Sequence, residues 1–184
     1  ARNLRGEFKY NPTKQNLAKS LKYVPYFTSN YTRFIVSIKD GTPEYIVIDY
    51  SIFMVCLTNF VSNAQKYSSG KIVIEASYID GFVHVDVIDQ GVSIPFDQQS
   101  LIFQRGEKSR LNKDLAKGQG IGLHSVAKVL KQAGGRVGVA SPHRWEYDKE
   151  DGAGPGSRFW FEMKDENQKK ESLVSQQLLQ HVKN

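Results

Sequence analysis

One cysteine in 184 residues leaves no internal disulfide to staple the fold. Cys56 stands among Met54, Val55 and Leu57, the setting of a buried thiol, and a reducing compartment is therefore permitted. The longest apolar run, Ile52 to Leu57, falls far short of the roughly 18 residues that a membrane-spanning helix needs. The first ten residues, ARNLRGEFKY, carry charge with no apolar stretch behind it, so a secretory signal is not expected. No internal repeat and no low-complexity block appears. Acidic residues are the scarcer charge, 19 against 25 basic ones, for a net charge of +6. What remains, 40% hydrophobic and 24% charged, is the composition of one ordinary globular domain with room for a tail.

The excess positive charge sits at the front. Residues 1–40 hold eight Lys/Arg and two acids, a difference of +6. A basic chain of this kind suits nucleic acid or anionic lipid, but the residues are scattered and no recognised nucleic-acid motif accompanies them. A solvated helix face is the preferred reading, with neither nucleic acid nor membrane as partner.

Apolar spacing at Leu17, Leu21, Val24 and Phe27 predicts a helix over 13–28, ended or bent by Pro25. Phe34–Ile38 and Tyr45–Ile48 read as strands. Asp49 is a plausible cap for a helix over 50–67 whose core face carries Phe53, Cys56, Leu57, Phe60, Val61 and Ala64. Two alternating runs, 72–78 and 82–88, flank Asp80-Gly81 and predict a hairpin. A short helix over 97–104, a mobile charged loop over 105–120, a helix over 121–133 stopped by Gly134-Gly135, and strands over 137–140 and 158–163 complete the pattern. Helices and strands in this order do not repeat as βαβ, so a doubly wound sheet is not expected. They predict an α+β, two-layer α/β sandwich, a mixed sheet with helices on one face. The expected organisation is a linker over 1–12, the domain over 13–164, and a tail or linker helix over 165–184, with Leu173, Val174, Leu178, Leu179 and Val182 at turn spacing.

Four local patterns carry chemistry. In NFVSNAQKY, Asn59 and Asn63 share a helix face, with Lys66 one turn on. Two amide oxygens and an ammonium suit Mg²⁺ with phosphates, because that ion takes hard oxygen ligands and keeps several waters. In VIDQGVSI, Asp89 ends a buried strand before a tight turn at Gly91. Its carboxylate can accept the amine proton of adenine, whereas guanine presents a carbonyl there. The third pattern is Leu101-Ile102-Phe103 followed by a basic stretch with Arg105, Lys108, Arg110, Lys113 and Lys117, which suits a lid closing over phosphates. The last, Gly118-Gln119-Gly120-Ile121-Gly122-Leu123, opens a helix whose free N–H groups attract phosphate. It is neither the dinucleotide fingerprint nor the phosphate loop ending in Gly-Lys-Ser/Thr. Each pattern alone also fits a solvated face, a turn or a loop.

Taken in this order, the four resemble the histidine-kinase-type ATPases, the Bergerat or GHKL fold shared with gyrase, the heat-shock chaperone and mismatch-repair ATPases. The resemblance covers residues 13–163. NFVSNAQKYS is similar to the N box, DQGVSI to the first glycine box, LIFQRG to the F box, GQGIGL to the second glycine box, and GSRFWF to the closing strand. The wording of the N box is nearest the sensor histidine kinases. The resemblance implies a Mg²⁺-dependent ATP site with Asn63 as the principal metal ligand and Asn59 supporting the metal or its water. Lys66 and Tyr67 are then placed on phosphate or ribose, and Asp89 on the adenine amine with Gly91 under the ring. Ile94, Phe103, Arg105 and Lys108 are expected around the nucleotide. Gly118, Gly120, Ile121, Gly122 and Leu123 are expected as lid hinge, phosphate contacts and pocket cap. Asn59 and Lys66 are the expected catalytic pair.

Hydrolysing members carry Glu at the position of Asn59, where it can act as a base for water. An amide cannot take that proton, which suits a kinase that hands its γ-phosphoryl group on. The implied activity is that of the ATP-binding catalytic domain of a sensor or hybrid histidine kinase in two-component signalling. The implied partners are a histidine-bearing dimerisation domain, of the same or a partner kinase, and a response-regulator receiver domain. The implied setting is cytoplasmic, as a domain of a protein that can itself be membrane-anchored. His84, His124, His143 and His181 all lie downstream of the N box, outside the setting of a phosphoacceptor. His84 fits the outward face of a strand and His124 a helix surface. Ser93 departs from the family's second glycine and is expected to be strained if that position needs a positive φ. That departure keeps open a degenerate nucleotide-binding regulator acting through protein contacts; a gyrase- or chaperone-like ATPase is the other alternative.

Overall fold

The computed structural model describes residues 9–24, 31–104, 122–143 and 154–167. The end of the expected first helix beyond residue 24, the expected charged loop, residues 144–153 and the tail beyond 167 therefore lie outside the described residues.

A short antiparallel pair opens the fold. Strand β1, Thr13–Asn16, runs against β3, Tyr45–Ile48, with Thr13 opposite Ile48 and Asn16 opposite Tyr45. Helix α1, Leu17–Tyr23, follows directly. The continuous helix expected from residue 13 is thus a strand and then a helix. Asn16 makes the switch: its side chain accepts the Lys19 N–H at 2.9 Å and caps the first turn. The apolar spacing was sound where helix exists, and Leu17, Leu21 and Val24 are buried.

The main sheet contains β2 (Phe34–Ile38), β4 (Ile72–Ile79), β5 (Phe82–Asp89), β6 (Arg136–Ala140) and β7 (Ser157–Lys164). Its order is β2-β4-β5-β7-β6, with β2 parallel to β4 and every other pair antiparallel. The β4–β5 hairpin turns at Asp80-Gly81, whose φ values of 50° and 81° match a turn with both central residues left-handed. Helices α2, Tyr50–Tyr67, and α4, Gly122–Gln132, pack on one face. The mixed sheet with its helices on one side is the α+β sandwich that the element order predicts.

Helix α2 spans the range predicted for it. Asp49 caps it, with Oδ1 accepting from Ser51 N and Ile52 N. Its expected core face is fully buried. Phe53 and Phe60 meet Phe161 edge-on, at centroid distances of 5.6 and 5.9 Å, and Phe60 tilts against Phe159 at 5.4 Å. Such pairs add about 0.5–1.5 kcal/mol each beyond the area they bury. Burial pushes the Cys56 thiol up to about 12, so it is an inert core side chain.

Beyond β5, helix α3 is shorter than expected, Phe96–Gln99, and turns carry the chain on to Gln104. Of the apolar trio, Ile102 enters the core while Leu101 stays at the surface. Helix α4 ends where Gly134, at φ 70°, lets the Gly135 N–H reach Leu130 O at 2.8 Å. Contacts of the body continue past Lys164. Asp165 Oδ1 accepts from Val47 N at 2.8 Å, its Oδ2 accepts from the Tyr78 hydroxyl at 3.1 Å, and Glu166 N donates to Val47 O.

Candidate functional site

The amphipathic pattern of α2 places its apolar residues on the sheet and turns Asn59, Asn63 and Lys66 the other way. Asn59 donates from Nδ2 to Val55 O at 2.6 Å, which leaves its Oδ1 for other partners. A Cβ at Gly122, the first residue of α4, would lie 2.3 Å from that Oδ1. The glycine is thus a requirement of space, letting the start of α4 sit against Asn59. Asn63, one turn further on, is half-buried and its amide has no partner among the described residues. Lys66 donates to the Tyr67 hydroxyl at 3.0 Å and lies 4.8 Å from that ring's centroid.

Strand β5 delivers Asp89, 3% exposed. Its Oδ1 accepts from Gly91 N at 2.7 Å. Burial pushes its carboxyl up to about 6, while the backbone amides of Gly91 and Ser157 pull the other way. A Cβ at Gly91 would meet Tyr67 O at 2.3 Å and Asp89 Oδ1 at 2.8 Å, so the loop after Asp89 is pressed against the end of α2. Asn63 accordingly stands between two contacts of its own helix, Asn59 with Gly122 on one side and Tyr67 with Gly91 on the other. Ile94, Phe103 and Leu123 are half-buried and pack against the main core. Phe103 also presents its carbonyl to His124 Nδ1 at 3.3 Å, which ties the F box to α4 and makes His124 more than a surface residue.

Asn59, Asn63, Lys66, Tyr67, Asp89, Gly91, Ile94, Phe103, Gly122 and Leu123 thus come from elements that the fold brings into contact. Arg105, Lys108, Gly118, Gly120 and Ile121 lie outside the described residues. The concern over Ser93 is corrected: among the described residues Asp80 is the one non-glycine residue at positive φ, so Ser93 sits in ordinary backbone.

Several supporting residues carried no signal in the sequence. Arg33 donates to Ser68 O and Gly70 O, and Ser68 Oγ accepts from Gln90 N, joining the end of α2 to the loop beside Asp89. Ser141, Ser157 and Gln99 bind the other side of that loop. A serine in a polar loop looks the same whether its hydroxyl meets water or a main chain brought in from afar.

A glycine-bordered carboxylate is thus packed beside an amide-bearing helix. The chain matches the family of histidine kinase-, DNA gyrase B- and HSP90-like ATPases over residues 48–167, and it belongs to that family. Among its relatives is the virulence sensor histidine kinase PhoQ of Salmonella typhimurium, 31% identical over 128 residues, 68% of this chain and 24% of PhoQ. The chain spans about a quarter of the length of such relatives. Among solved structures, full-length ShkA in complex with AMPPNP is 26% identical with a TM-score of 0.68, over 85% of this chain and 31% of ShkA. The histidine kinase ThkA in complex with the response regulator TrrA shares the fold, with a TM-score of 0.59 at 21% identity over 85% of this chain and 42% of ThkA.

Proposed function

We propose that this chain is the ATP-binding catalytic domain of a sensor histidine kinase, transferring the γ-phosphoryl group of ATP to a histidine on a dimerisation segment of the same or a partner kinase. The observation that carries the reading is Asp89: a buried carboxylate at the end of β5, pinned by Gly91, beside the polar face of α2. It accepts the adenine amine proton, while a 6-oxo purine sets two acceptors against each other. A response-regulator receiver domain takes the phosphoryl group onward, in keeping with the ThkA–TrrA complex. Such transfer places the domain in the cytoplasm.

The donor set on α2 suits Mg²⁺. Asn63 offers an amide oxygen with no partner among the described residues, and Asn59 offers Oδ1 because its NH₂ is already engaged. Two neutral oxygens suffice for an ion that keeps waters and phosphate oxygens. When bound, the metal neutralises triphosphate charge. Lys66 supplies a cation from the same face, and Tyr67 holds that ammonium in place. Asn59 cannot abstract a proton from water, so ATP persists until an acceptor arrives.

Calorimetric titration of the chain with a nonhydrolysable ATP analogue and Mg²⁺ tests this. The expected result is micromolar or weaker adenine binding, guanine binding weaker again by about a hundredfold or more, and loss of binding in Asn63→Ala. Incubation with Mg²⁺-ATP is expected to give slow hydrolysis, and transfer once a dimerisation segment is added. Equal binding of ATP and GTP overturns the role of Asp89.

A further inference from the structure

Ser141 and Gln99, which lie outside every motif above, grip the loop that carries Asp89's neighbours. Ser141 directly follows β6, and its Oγ accepts the Ile94 N–H at 2.7 Å. The same hydroxyl lies 2.9 Å from Ser157 Oγ and 3.3 Å from Gly156 O. Ser157 Oγ donates to Val92 O at 3.3 Å. With one proton on each hydroxyl, the bonds run from Ile94 N–H to Ser141, from Ser141 to Ser157, and from Ser157 to the Val92 carbonyl. The chain of donors begins and ends on the same loop. Gln99, on α3, closes the other side, its amide NH₂ donating to Ile94 O at 3.0 Å and to Ser141 O. Ile94 is thus held through both its N–H and its C=O.

Main-chain bonds add a second fastening on the same side. Gly154 N donates to Gln90 O and Gly156 N to Gly91 O, at 2.9 and 3.0 Å. A Cβ at Gly154 would meet Gly91 O at 2.2 Å, and one at Gly156 would meet Asp89 O at 2.4 Å. The backbone from the Asp89 carbonyl to Gly91 is therefore fixed by the segment leading into β7 as well as by α2. A contact that recognises the edge of a base requires that fixity, because a carboxylate free to swing by about 1 Å loses the directional bond.

We infer that Ser141 and Gln99 are positioning residues for base recognition: they hold the 91–94 loop so that Asp89 discriminates a 6-amino purine from a 6-oxo purine. The inference rests on the proposed nucleotide site and deepens it. Neither side chain is assigned a contact with nucleotide; each acts through the loop.

The test is calorimetric titration of the 184-residue chain with nonhydrolysable adenosine and inosine triphosphate analogues and Mg²⁺, beside thermal melting of each protein without nucleotide. Ser141→Ala is expected to weaken adenine binding by about five- to tenfold, the worth of one hydrogen bond, while inosine binding shifts by less than about twofold. The preference for adenine narrows accordingly. Ser141→Thr keeps the hydroxyl and is expected to restore the wild-type ratio. Gln99→Ala, a change to a half-buried side chain, is expected to narrow the ratio by about threefold, and it decides the matter should Ser141→Ala fail to fold. An unchanged adenine-to-inosine ratio in the folded variants overturns the inference, whether the two affinities hold or fall together, because a merely structural role lowers melting temperature without touching base preference. A wild-type chain that binds neither analogue overturns the nucleotide reading itself, which is a different result.

Discussion

Asp89 sits in a state that costs the empty protein stability. Burial raises its carboxyl from 3.8 to about 6, against the pull of the Gly91 and Ser157 amides. A folded pKa above the unfolded one means that the group's stabilising contribution is complete below about pH 4 and is lost as pH rises through 6. At pH 7 the ionised, buried carboxylate therefore disfavours the fold, by up to about 3 kcal/mol at 1.36 kcal/mol per pH unit. On the proposed function, the adenine amine supplies a donor to that carboxylate. Asp89→Asn is expected to melt higher than wild type at pH 7 in the absence of nucleotide, by the equivalent of about 1–3 kcal/mol, with the gap closing at pH 4. The same substitution is expected to abolish adenine binding. Binding by the wild type is expected to weaken below pH 6, as a proton enters where the amine proton should go. A variant that melts lower than wild type at pH 7 contradicts this account.

Three strands share a second ionic arrangement on the sheet face away from the helices. His84, on β5, places Nδ1 3.0 Å from Glu162 Oε1 on β7 and Nε2 3.1 Å from Asp86 Oδ2 on its own strand. Arg158 of β7 donates from Nε to Asp86 at 2.5 Å, Arg136 of β6 reaches Glu162 at 2.7 Å, and Trp160 stacks on the imidazole at 5.5 Å. The outward face expected for His84 is correct, but the ring is embedded in this network with its side chain 12% exposed. The hydrogen bond to Asp86 raises its pKa most; burial opposes, and Asp86's charge and Glu162 add to the rise. Only the doubly protonated ring can donate to both carboxylates. Because the folded value lies above the unfolded one, this stabilisation is complete below about pH 6.5 and fades as pH climbs through the folded value. Melting curves of wild type and His84→Gln from pH 5 to 9 are expected to stand furthest apart at the acid end and to converge upward. A gap independent of pH excludes the ionic account.

Elements were legible in the sequence where local chemistry decided them. Asp49 caps α2 through its own turn, Asp80-Gly81 supplies the left-handed pair of a hairpin, and Gly134 stops α4. Strand β1 was not legible, because TKQN has no apolar alternation and is a strand only by pairing with β3, about 30 residues away. The same limit hid Ser141 and Gln99, 42 residues apart, while the four motifs, each contained in a few residues, stood out.

At the scale of the molecule, the two ends of the described body converge on the strand that feeds α2. Tyr10 packs against the core, and Asn11 N donates to Asp49 Oδ2 at 2.8 Å, so the residue that caps α2 also holds the incoming chain. Burial, with Glu166, Asp49 and Asp165 close by, pushes the Tyr10 hydroxyl up to about 12, so it stays a neutral donor to Glu166. On the outgoing side Asp165, 2% exposed, accepts from Val47 N, Asn167 N and the Tyr78 hydroxyl, and its own N–H meets Gly81 O. Removing that carboxylate breaks the bonds it accepts from Val47 N and from the Tyr78 hydroxyl, at about 0.5–1.5 kcal/mol for each hydrogen bond lost. Asp165→Ala is expected to lower the melting temperature by about 5–10 °C, at roughly 2–4 °C per kcal/mol for a domain of this size. Asp165→Asn, which keeps an acceptor oxygen, is expected to lose less. A chain cut after Lys164 also loses the Glu166 contacts and is expected to melt at or below Asp165→Ala. Gly81 and Asp89 mark opposite ends of β5, about 25 Å apart at a strand's rise per residue, so nucleotide affinity measured well below the transition should remain within about twofold in every folded variant. Melting unchanged in Asp165→Ala, or affinity lost together with stability, places the hold on the chain ends somewhere other than Asp165.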